Sequence, residues 1–215
     1  MDWGFIFKYF PLYREAAILT VRIGLIGIIF SIIIGIFCAV ILYYNVLFFK
    51  TVVKVYIEVS RNTPLLIQLF FIYYGLPKVG IKLSPEFCGV VGLAFLGGSY
   101  MAETFRSGLL AVDVIQKNSA YSLGFNRLQT MIYIILPQAL AISTHGIVAN
   151  IIFLLKETSV FSAISLMDLM FTAKDLIGIY YNTTESLLLL VFFYLIILLP
   201  VSIIGLVVER RVHYE

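Results

Sequence analysis

The sequence carries little charge for its length. Of its 215 residues, 13% are charged, whereas 61% are hydrophobic and 15% are aromatic. A soluble domain needs far more charged side chains to cover its surface. The formal net charge of +3 is small and spread along the chain, which argues against a nucleic-acid partner. The composition therefore indicates one integral membrane domain.

Cysteine and histidine are also scarce, with two of each. Cys38 and Cys88 lie in separate apolar runs and form no CxxC pair, so we expect both to serve packing, as we do for His145. The chain has no GxxxxGK[ST], HExxH or GxSxG motif, and no His, Cys and carboxylate cluster at metal-ligand spacing. We therefore expect no catalytic residue, no metal site and no cofactor in this chain.

Five apolar blocks are long enough to cross the ~30 Å hydrocarbon core of a bilayer. They predict spans at 18–44, 51–77, 87–110, 132–155 and 187–208. The residues before the first block lack the basic region of a cleaved signal, so we expect the first span to remain. An odd number of spans places the two ends on opposite sides. Arg210 and Arg211, directly after the last block, favour a cytoplasmic C-terminus and an outside N-terminus.

Polar residues interrupt the second block. Arg61, Asn62, Thr63 and Pro64 stand near its middle, and Pro64 lacks a backbone donor. One interpretation is a broken helix that lines a cavity, where the second half would direct free N–H groups at the carboxylate of a solute. The other is that Arg61 marks the cytoplasmic edge and Pro64 begins a shorter span. The sequence favours neither.

The third block carries polar residues on one helical face. Ser99, Glu103 and Arg106 recur at intervals of three and four residues. Charges at this depth must face protein or water. Either Glu103 and Arg106 form an ion pair that holds two helices together, or Glu103 lines a solute path. Arg106 can also reach the cytoplasmic interface.

Small residues form a stripe along the first block. They are Gly24, Gly27, Ser31 and Gly35, at spacings of three or four residues. Such a stripe lets another helix approach closely, so we expect it to serve packing rather than chemistry.

The longest connection between spans runs from 156 to 185 and is amphipathic. Its apolar residues predict one covered face along the outer surface, whereas Asp168, Lys174 and Asp175 are expected to face water. Near its start, Glu157 is either an interfacial charge at a helix end or a group in a solute cavity.

A polar island with a glycine, QKNSAYSLGFNRLQTMIYIILPQA at 116–139, separates the third and fourth spans. It resembles the cytoplasmic loop of bacterial ABC importer permeases, whose consensus is EAA, three residues, Gly, nine residues and then I-x-L-P. The residues at that spacing are Ala120, Gly124, Ile134, Leu136 and Pro137. Asn118 and Ser119 replace the first Glu and Ala. The stretches RNTPLLIQLFFIYYGLP, SYMAETFRSG and LKETSVFSAIS further resemble polar amino acid permeases of the histidine and glutamine type.

The resemblance implies an all-α integral membrane protein with five transmembrane helices, the type I ABC importer permease fold and a cytoplasmic coupling helix in a loop at 114–131. It also implies a bacterial cytoplasmic membrane, a second identical or related permease subunit, and two ATPase subunits that bind ATP and Mg. An external solute-binding protein would deliver a polar amino acid. In the family, the loop docks in a groove of the ATPase subunit and transmits its closure to the spans.

Two sets of residues follow from this resemblance and from the polar positions within the spans. For coupling to the ATPase they are Ala120, Ser122, Gly124, Phe125, Arg127, Leu136 and Pro137. For the solute path they are Asn62, Thr63, Gln68, Ser99, Glu103, Glu157 and Thr158. Backbone N–H groups near Thr63 would meet the carboxylate of an amino acid, and Glu103 or Glu157 its ammonium group.

Two alternative functions stay open. A stand-alone secondary amino acid transporter would explain the broken helix and the carboxylates within the spans, although such carriers usually show internal inverted repeats and more spans. An ABC permease for another small solute would differ only in its substrate. A membrane enzyme would explain none of these features.

Overall fold

The computed structural model describes residues 1–213, with side-chain environments as far as Arg211. Regular structure in this part of the chain is helical throughout. The helices are α1 (Trp3–Tyr43), α2 (Leu47–Arg61), α3 (Leu65–Phe70), α4 (Pro85–Ala111), α5 (Val114–Ser122), α6 (Arg127–Gln129), α7 (Leu136–Glu157), α8 (Leu169–Tyr180) and α9 (Thr183–His213). Wider or tighter helical turns extend α3 through Val79, join α6 to α7, and follow α7 through Ile164.

Within residues 1–213, four helical stretches are long and apolar enough to cross a membrane. They are Trp3–Tyr43, Pro85–Ala111, Arg127–Ile164 and Thr183–Arg211. Four predicted spans coincide with them, but each of these helices extends beyond the apolar block. The first helix, for example, starts at Trp3 and not near 18. Apolar blocks mark what lies in lipid, whereas helices continue into the interface for as long as their hydrogen bonds are satisfied.

The early start of α1 has a local and a tertiary cause. Asp2 caps the first turn, because its Oδ1 accepts a hydrogen bond from Phe5 N at 3.0 Å. Further along, Tyr13 is fully buried among residues of α8 and α9, and its hydroxyl donates to the Ser186 carbonyl at 2.8 Å. The aromatic N-terminal segment is therefore part of the packed protein.

The second predicted span, 51–77, is two helices and not one. α2 ends at Arg61, and α3 begins at Leu65 after Pro64. The apolar part that follows, Leu65–Val79, is shorter than the four long helices. The structure therefore corrects the continuous span to two helices separated at residues 62–64, as both interpretations allow, and the position of Arg61 relative to the membrane edge stays a prediction.

The small-residue stripe of α1 packs against α4, as predicted. A Cβ added to Gly27 would lie 2.7 Å from the Leu93 side chain, and one added to Gly35 would overlap Met101. Between them, the Ser31 hydroxyl lies 2.8 Å from the Gly27 carbonyl and 3.2 Å from the Leu93 carbonyl. The two backbones approach so closely that larger side chains would force them apart.

The connection between α7 and α9 covers one end of the bundle. Asp168 was predicted to face water, and this is wrong: the residue is fully buried. Its Oδ1 caps α8 by accepting a hydrogen bond from Phe171 N at 2.9 Å, and the adjacent Leu169 N donates to Thr20 Oγ1 of α1 at 3.2 Å. Burial raises the pKa of the Asp168 carboxyl from 3.8 to about 7.

The packed position predicted for His145 is also wrong. Its side chain is 80% exposed, and Nδ1 lies 3.2 Å from Oε2 of Glu209 on α9. An isolated histidine in an apolar helix suggests burial, but the sequence does not say which face of α7 remains uncovered within one chain.

Candidate functional site

The segment between α4 and α7 forms a short helix and a turn, which we name the knob (residues 113–129). Asp113 caps α5, because its Oδ1 accepts a hydrogen bond from Ile115 N at 2.8 Å. The helix covers Val114–Ser122, within the loop at 114–131 in which the resemblance implies a coupling helix. The polar island therefore forms a defined helix and not an irregular loop.

The chain turns at Gly124, the glycine that matches the consensus of the coupling loop. Its φ is +85°, a left-handed conformation that glycine adopts without strain. Gly124 N donates to the Tyr121 carbonyl at 3.0 Å, and Phe125 N donates to the Ala120 carbonyl at 3.1 Å. This pair of bonds is a Schellman motif, which ends a helix and reverses the chain. A Cβ at Gly124 would meet no atom within 4 Å, so the requirement for glycine here is conformational.

A capping box then starts the next helix. Asn126 N donates to Gln129 Oε1 and Gln129 N donates to Asn126 Oδ1, both at 2.9 Å. α6 continues through a widened turn, Thr130–Ile135, into α7. Pro137 has no N–H to donate, and a widened turn just before it accommodates the missing hydrogen bond. The knob is thereby joined to a long helix without a flexible linker.

The predicted coupling residues fall into three environments. Ala120 is buried where α5 meets the widened turn, so its role is to hold the knob in place. Ser122, Gly124 and Arg127 are exposed on the knob, and Phe125 is half-buried. Leu136 and Pro137 lie in the long helix, where Leu136 packs at the edge of the core.

Several exposed apolar side chains on the knob were missed by the sequence analysis, among them Val114, which is 66% exposed. Leu123 is 79% exposed, and Ile115 and Leu128 are each 67% exposed. Apolar side chains exposed together outside a membrane span are typical of an interaction site. Their position within an otherwise polar segment is the sequence signal that could have identified them as an interaction surface.

Most polar side chains at the break between α2 and α3 form hydrogen bonds with backbone carbonyls of the same segment. Asn62 Nδ2 donates to the Glu58 carbonyl at 2.8 Å, and Thr63 Oγ1 donates to the Val59 carbonyl at 2.7 Å. Gln68 is 8% exposed, and its Nε2 donates to the carbonyls of Ser60 at 3.0 Å and Thr63 at 2.9 Å. Gln68 therefore lies inside the protein, where it closes the break, and not on an open surface.

Ser99 is likewise buried at a helix contact. Its Oγ lies 3.0 Å from Ser60 Oγ, across the interface between α2 and α4, and it donates to the Leu96 carbonyl at 2.6 Å. The Ser60 hydroxyl also lies 2.9 Å from the Phe95 carbonyl. These contacts fix α2 against α4.

Glu103 and Arg106 do form an ion pair, with 3.2 Å between Oε2 and Nη2. The pair lies within one turn of α4, so the prediction that it holds two helices together is wrong. Both side chains are about one-third exposed, at 32% and 39%. An i,i+3 pair of this kind contributes little to stability.

Both residues line a charged cavity of about 480 Å³ between α2 and α4. The other lining residues are Leu42, Lys50, Lys54, Ile57, Glu58 and Arg61. The Arg61 guanidinium also lies 5.0 Å from the centre of the Tyr100 ring. The sequence analysis did not single out Lys50 or Lys54. The sequence does contain a signal for this charged face. Lys50, Lys54, Glu58 and Arg61 follow one another at intervals of four, four and three residues, which places all four on one face of α2.

The two predicted pathway carboxylates lie at different depths. Next to Glu103, the Thr104 side chain accepts a hydrogen bond from Asn150 Nδ2 at 2.9 Å. Glu157 follows Asn150 by seven residues on the same helix, so it lies roughly 10 Å further from the knob. Thr158, beside Glu157, is buried and donates to the Leu155 carbonyl at 2.7 Å. A single amino acid ammonium group would not meet both carboxylates at once.

Residues 31–214 match the family described as binding-protein-dependent transport system inner membrane component. The chain belongs to this family. A probable glutamine ABC transporter permease from Bacillus subtilis is 34% identical over 164 residues, which is 76% of this chain and 75% of the relative. An arginine transport system permease from the same organism is 30% identical over 213 residues, covering 99% and 97% of the two chains.

Solved structures share the fold of this transport-system membrane component. The crystal structure of an amino acid ABC transporter with histidines superimposes with a TM-score of 0.90 at 32% identity, covering 98% of this chain and 99% of the other. An inward-facing MetNI methionine ABC transporter has a TM-score of 0.82 at 19% identity over 99% of both chains, which shows the fold alone. The type I ABC permease fold expected from the sequence is confirmed.

Proposed function

We propose that this chain is the membrane-spanning subunit of an ATP-driven importer that moves a polar amino acid into the cytoplasm. The observation that carries the proposal is the knob. It is a rigid helix and turn with exposed apolar side chains, set at the position of the coupling loop in the family and continuous with a long helix. Relatives at 34% and 30% identity are named as permeases for glutamine and arginine, which supports an amino acid as the solute.

The importer would contain partners that this chain lacks. A second permease, identical or related, would complete the pathway, and two ATPase subunits would bind ATP and Mg beneath the knobs. A solute-binding protein would deliver the amino acid from the other side. The chain would lie in a bacterial cytoplasmic membrane with its N-terminus outside and its C-terminus in the cytoplasm, because the knob must face the ATPase.

Within this function the knob would act as a lever. Leu123 and Leu128 would contact the groove of the ATPase, and Arg127 would pair with an acidic group there. Ala120 would keep the helix seated on the widened turn, so that a displacement of the knob moves the long helix as one body. Asn62, Thr63, Glu103 and Glu157 would contact the solute at successive depths.

Affinity purification of the chain from its native membrane tests the assembly. Mass spectrometry should identify a P-loop ATPase in the eluate, and an amino acid-loaded binding protein should stimulate its ATP hydrolysis. A chain purified without ATPase that still transports an amino acid into liposomes would instead establish a secondary transporter.

Gly124→Leu tests the knob, and Gly80→Leu is its matched control. Both glycines have positive φ, +85° and +90°, and neither has an atom within 4 Å of an added Cβ. The backbone strain is therefore the same, but Gly80 follows α3 and is remote from the knob. We expect Gly124→Leu to uncouple ATP hydrolysis from uptake and Gly80→Leu to leave the two coupled. Equal coupling in both variants would remove the assignment.

A further inference from the structure

We propose that the charged cavity between α2 and α4 is an exit vestibule that passes neutral and acidic amino acids and rejects cationic ones. This inference rests on the proposed function, because it names the class of amino acid that the importer moves. It depends chiefly on Lys50, Lys54 and Glu58 of α2, which lie outside the stretches that carry the family resemblance and outside the predicted solute path.

The lining of the cavity is positive on balance. Four basic side chains and two acidic ones surround it, a formal charge of +2. The two acids are already engaged. Glu103 pairs with Arg106 at 3.2 Å, and Glu58 Oε2 accepts a hydrogen bond from Asn62 Nδ2 at 3.1 Å. No carboxylate within the described residues forms an ion pair with Lys50, Lys54 or Arg61.

The other two faces of α2 show where this charged face points. Val53, Ile57 and Ser60 are buried against the rest of the chain. Val52, Val55 and Val59 are more than half exposed, which suits contact with lipid tails. The lysines and Arg61 occupy the third face, and charges at this position in a membrane protein face water or another protein chain and not hydrocarbon.

The cavity lies at the knob end of the chain. Leu42 belongs to the last turn of α1, Lys50 to the first turn of α2, and Arg106 to the last third of α4, whose end leads directly to the knob. In the orientation of the proposed function this is the cytoplasmic end. A solute that leaves the pathway inward would therefore pass this surface last.

The size and charge of the cavity set the solute class. A volume of about 480 Å³ lies in the usual range of small-molecule pockets, ~300–1,000 Å³. Lysine and arginine side chains attract the carboxylate that every amino acid carries. A cationic side chain on the solute would meet like charge from Lys50, Lys54 and Arg61, which form no ion pair within the described residues, and such juxtaposition is unfavourable.

The test uses the complete transporter in liposomes, with its ATPase and binding protein, and a panel of radiolabelled amino acids. We expect ATP-dependent uptake of neutral or acidic members and none of arginine or lysine. Comparable uptake of a cationic amino acid would overturn this inference and leave the proposed function intact. Absence of ATP-dependent uptake of any amino acid would overturn both.

The double variant Lys50→Glu and Lys54→Glu tests the residues themselves. Reversal of the charge should lower the uptake rate of the transported amino acid at subsaturating concentration about tenfold, because a cleft of one sign changes the rate of solute encounter by that order or more. Lys82→Glu, an exposed reversal at the opposite end of α4, should leave the rate unchanged, and Lys50→Arg with Lys54→Arg should retain it.

Two results would contradict the assignment. One is an unchanged uptake rate in the double Glu variant. The other is an anionic phospholipid that copurifies with the wild-type complex, is lost from the double Glu variant, and accounts for the whole rate difference when it is added back. The cavity would then be a lipid headgroup site and not part of the solute route.

Discussion

The two sides of α4 differ sharply in what they present to their neighbours. Toward α1, the helix offers glycines at which an added Cβ would overlap the facing side chains. At Gly97 those side chains belong to Ser31 and Leu154. Toward α2, it offers the partly exposed pair Glu103 and Arg106 at the edge of a cavity. The side of α4 that faces α1 is closely packed through small residues, and the side that faces α2 lines a cavity with charged residues.

The difference shows how one helix can pack tightly against a neighbour on one face and line a cavity on the other. Glycines allow the α1 and α4 backbones to meet, and the side chains of Ser31 and Arg22 add hydrogen bonds from α1 to the Leu93 carbonyl and to Glu86 of α4. The charged side cannot close in the same way, since desolvating an ion pair costs free energy that its Coulomb attraction does not fully offset. A rigid contact on one face therefore supports a hydrated opening on the other.

The largest expected effect comes from placing a larger side chain where α4 is closely packed. Gly97→Leu would place a branched side chain where Ser31 and Leu154 already lie, so we expect loss of about 3 kcal/mol or more and little folded protein. Size-exclusion chromatography in detergent with a thermal melt would measure it. Gly178→Leu, a helical glycine in open space, is the control, and wild-type stability of Gly97→Leu would show that the contact is loose.

A second change tests the buried carboxylate of Asp168, which caps α8 beside α1. The pKa of Asp168 rises from 3.8 to about 7 on burial, so the folded state binds more protons and wild-type stability falls as the pH rises between those values, then levels. Asp168→Asn keeps the acceptor for Phe171 N and removes the buried charge. We expect thermal melts to show the variant more stable by about 2 kcal/mol at pH 8, with the gain shrinking toward pH 4.

The control for that change is Asp175→Asn, an exposed position on the same helix, which should shift the melting temperature little at any pH. If Asp168→Asn were less stable than wild type at high pH, the Asp168 carboxylate would have to make a favourable charged contact in the membrane.

A third change tests the charged side of α4, which lines the cavity. Glu103→Gln leaves the shape of the cavity intact but frees Arg106 from its partner. We expect the free energy of unfolding, followed by thermal melts, to change by less than about 1 kcal/mol, because the pair is partly exposed. Uptake by the reconstituted transporter should fall about tenfold. Wild-type rate and substrate preference would remove Glu103 from the solute path.

The smallest effect should come from the polar contact between the two sides of the cavity. Ser60→Ala removes the hydroxyl that bridges to Ser99 Oγ and the Phe95 carbonyl, at a cost of about 1 kcal/mol. The Phe95 carbonyl keeps its hydrogen bond from the Tyr56 hydroxyl at 2.7 Å, which limits the loss. Thermal melts of this variant and of Ser162→Ala, whose contact is local, would separate the interhelical contribution.

Local chemistry made parts of the site predictable. Gly124 was recognised from the consensus of the coupling loop, and it ends α5 in a turn because glycine adopts the left-handed conformation that a helix end often requires. Pro64 was expected to interrupt the second span for a similar reason. The depth of Glu157 relative to Glu103 was not predictable, because it depends on how α4 and α7 align, and sequence spacing within one helix carries no information about its neighbour.

Composition and periodicity by themselves determined that this protein is an apolar helical membrane protein with a polar knob, because bilayer thickness and helix geometry act on short stretches of chain. They also placed small residues and charges on particular faces of α1, α2 and α4. Only the tertiary structure decided that Asp168 is buried, that Glu103 pairs within its own helix, and that Lys50 and Lys54 face Arg106 across a cavity. Those outcomes depend on which faces meet, and that is set by the close packing of helices distant in the chain.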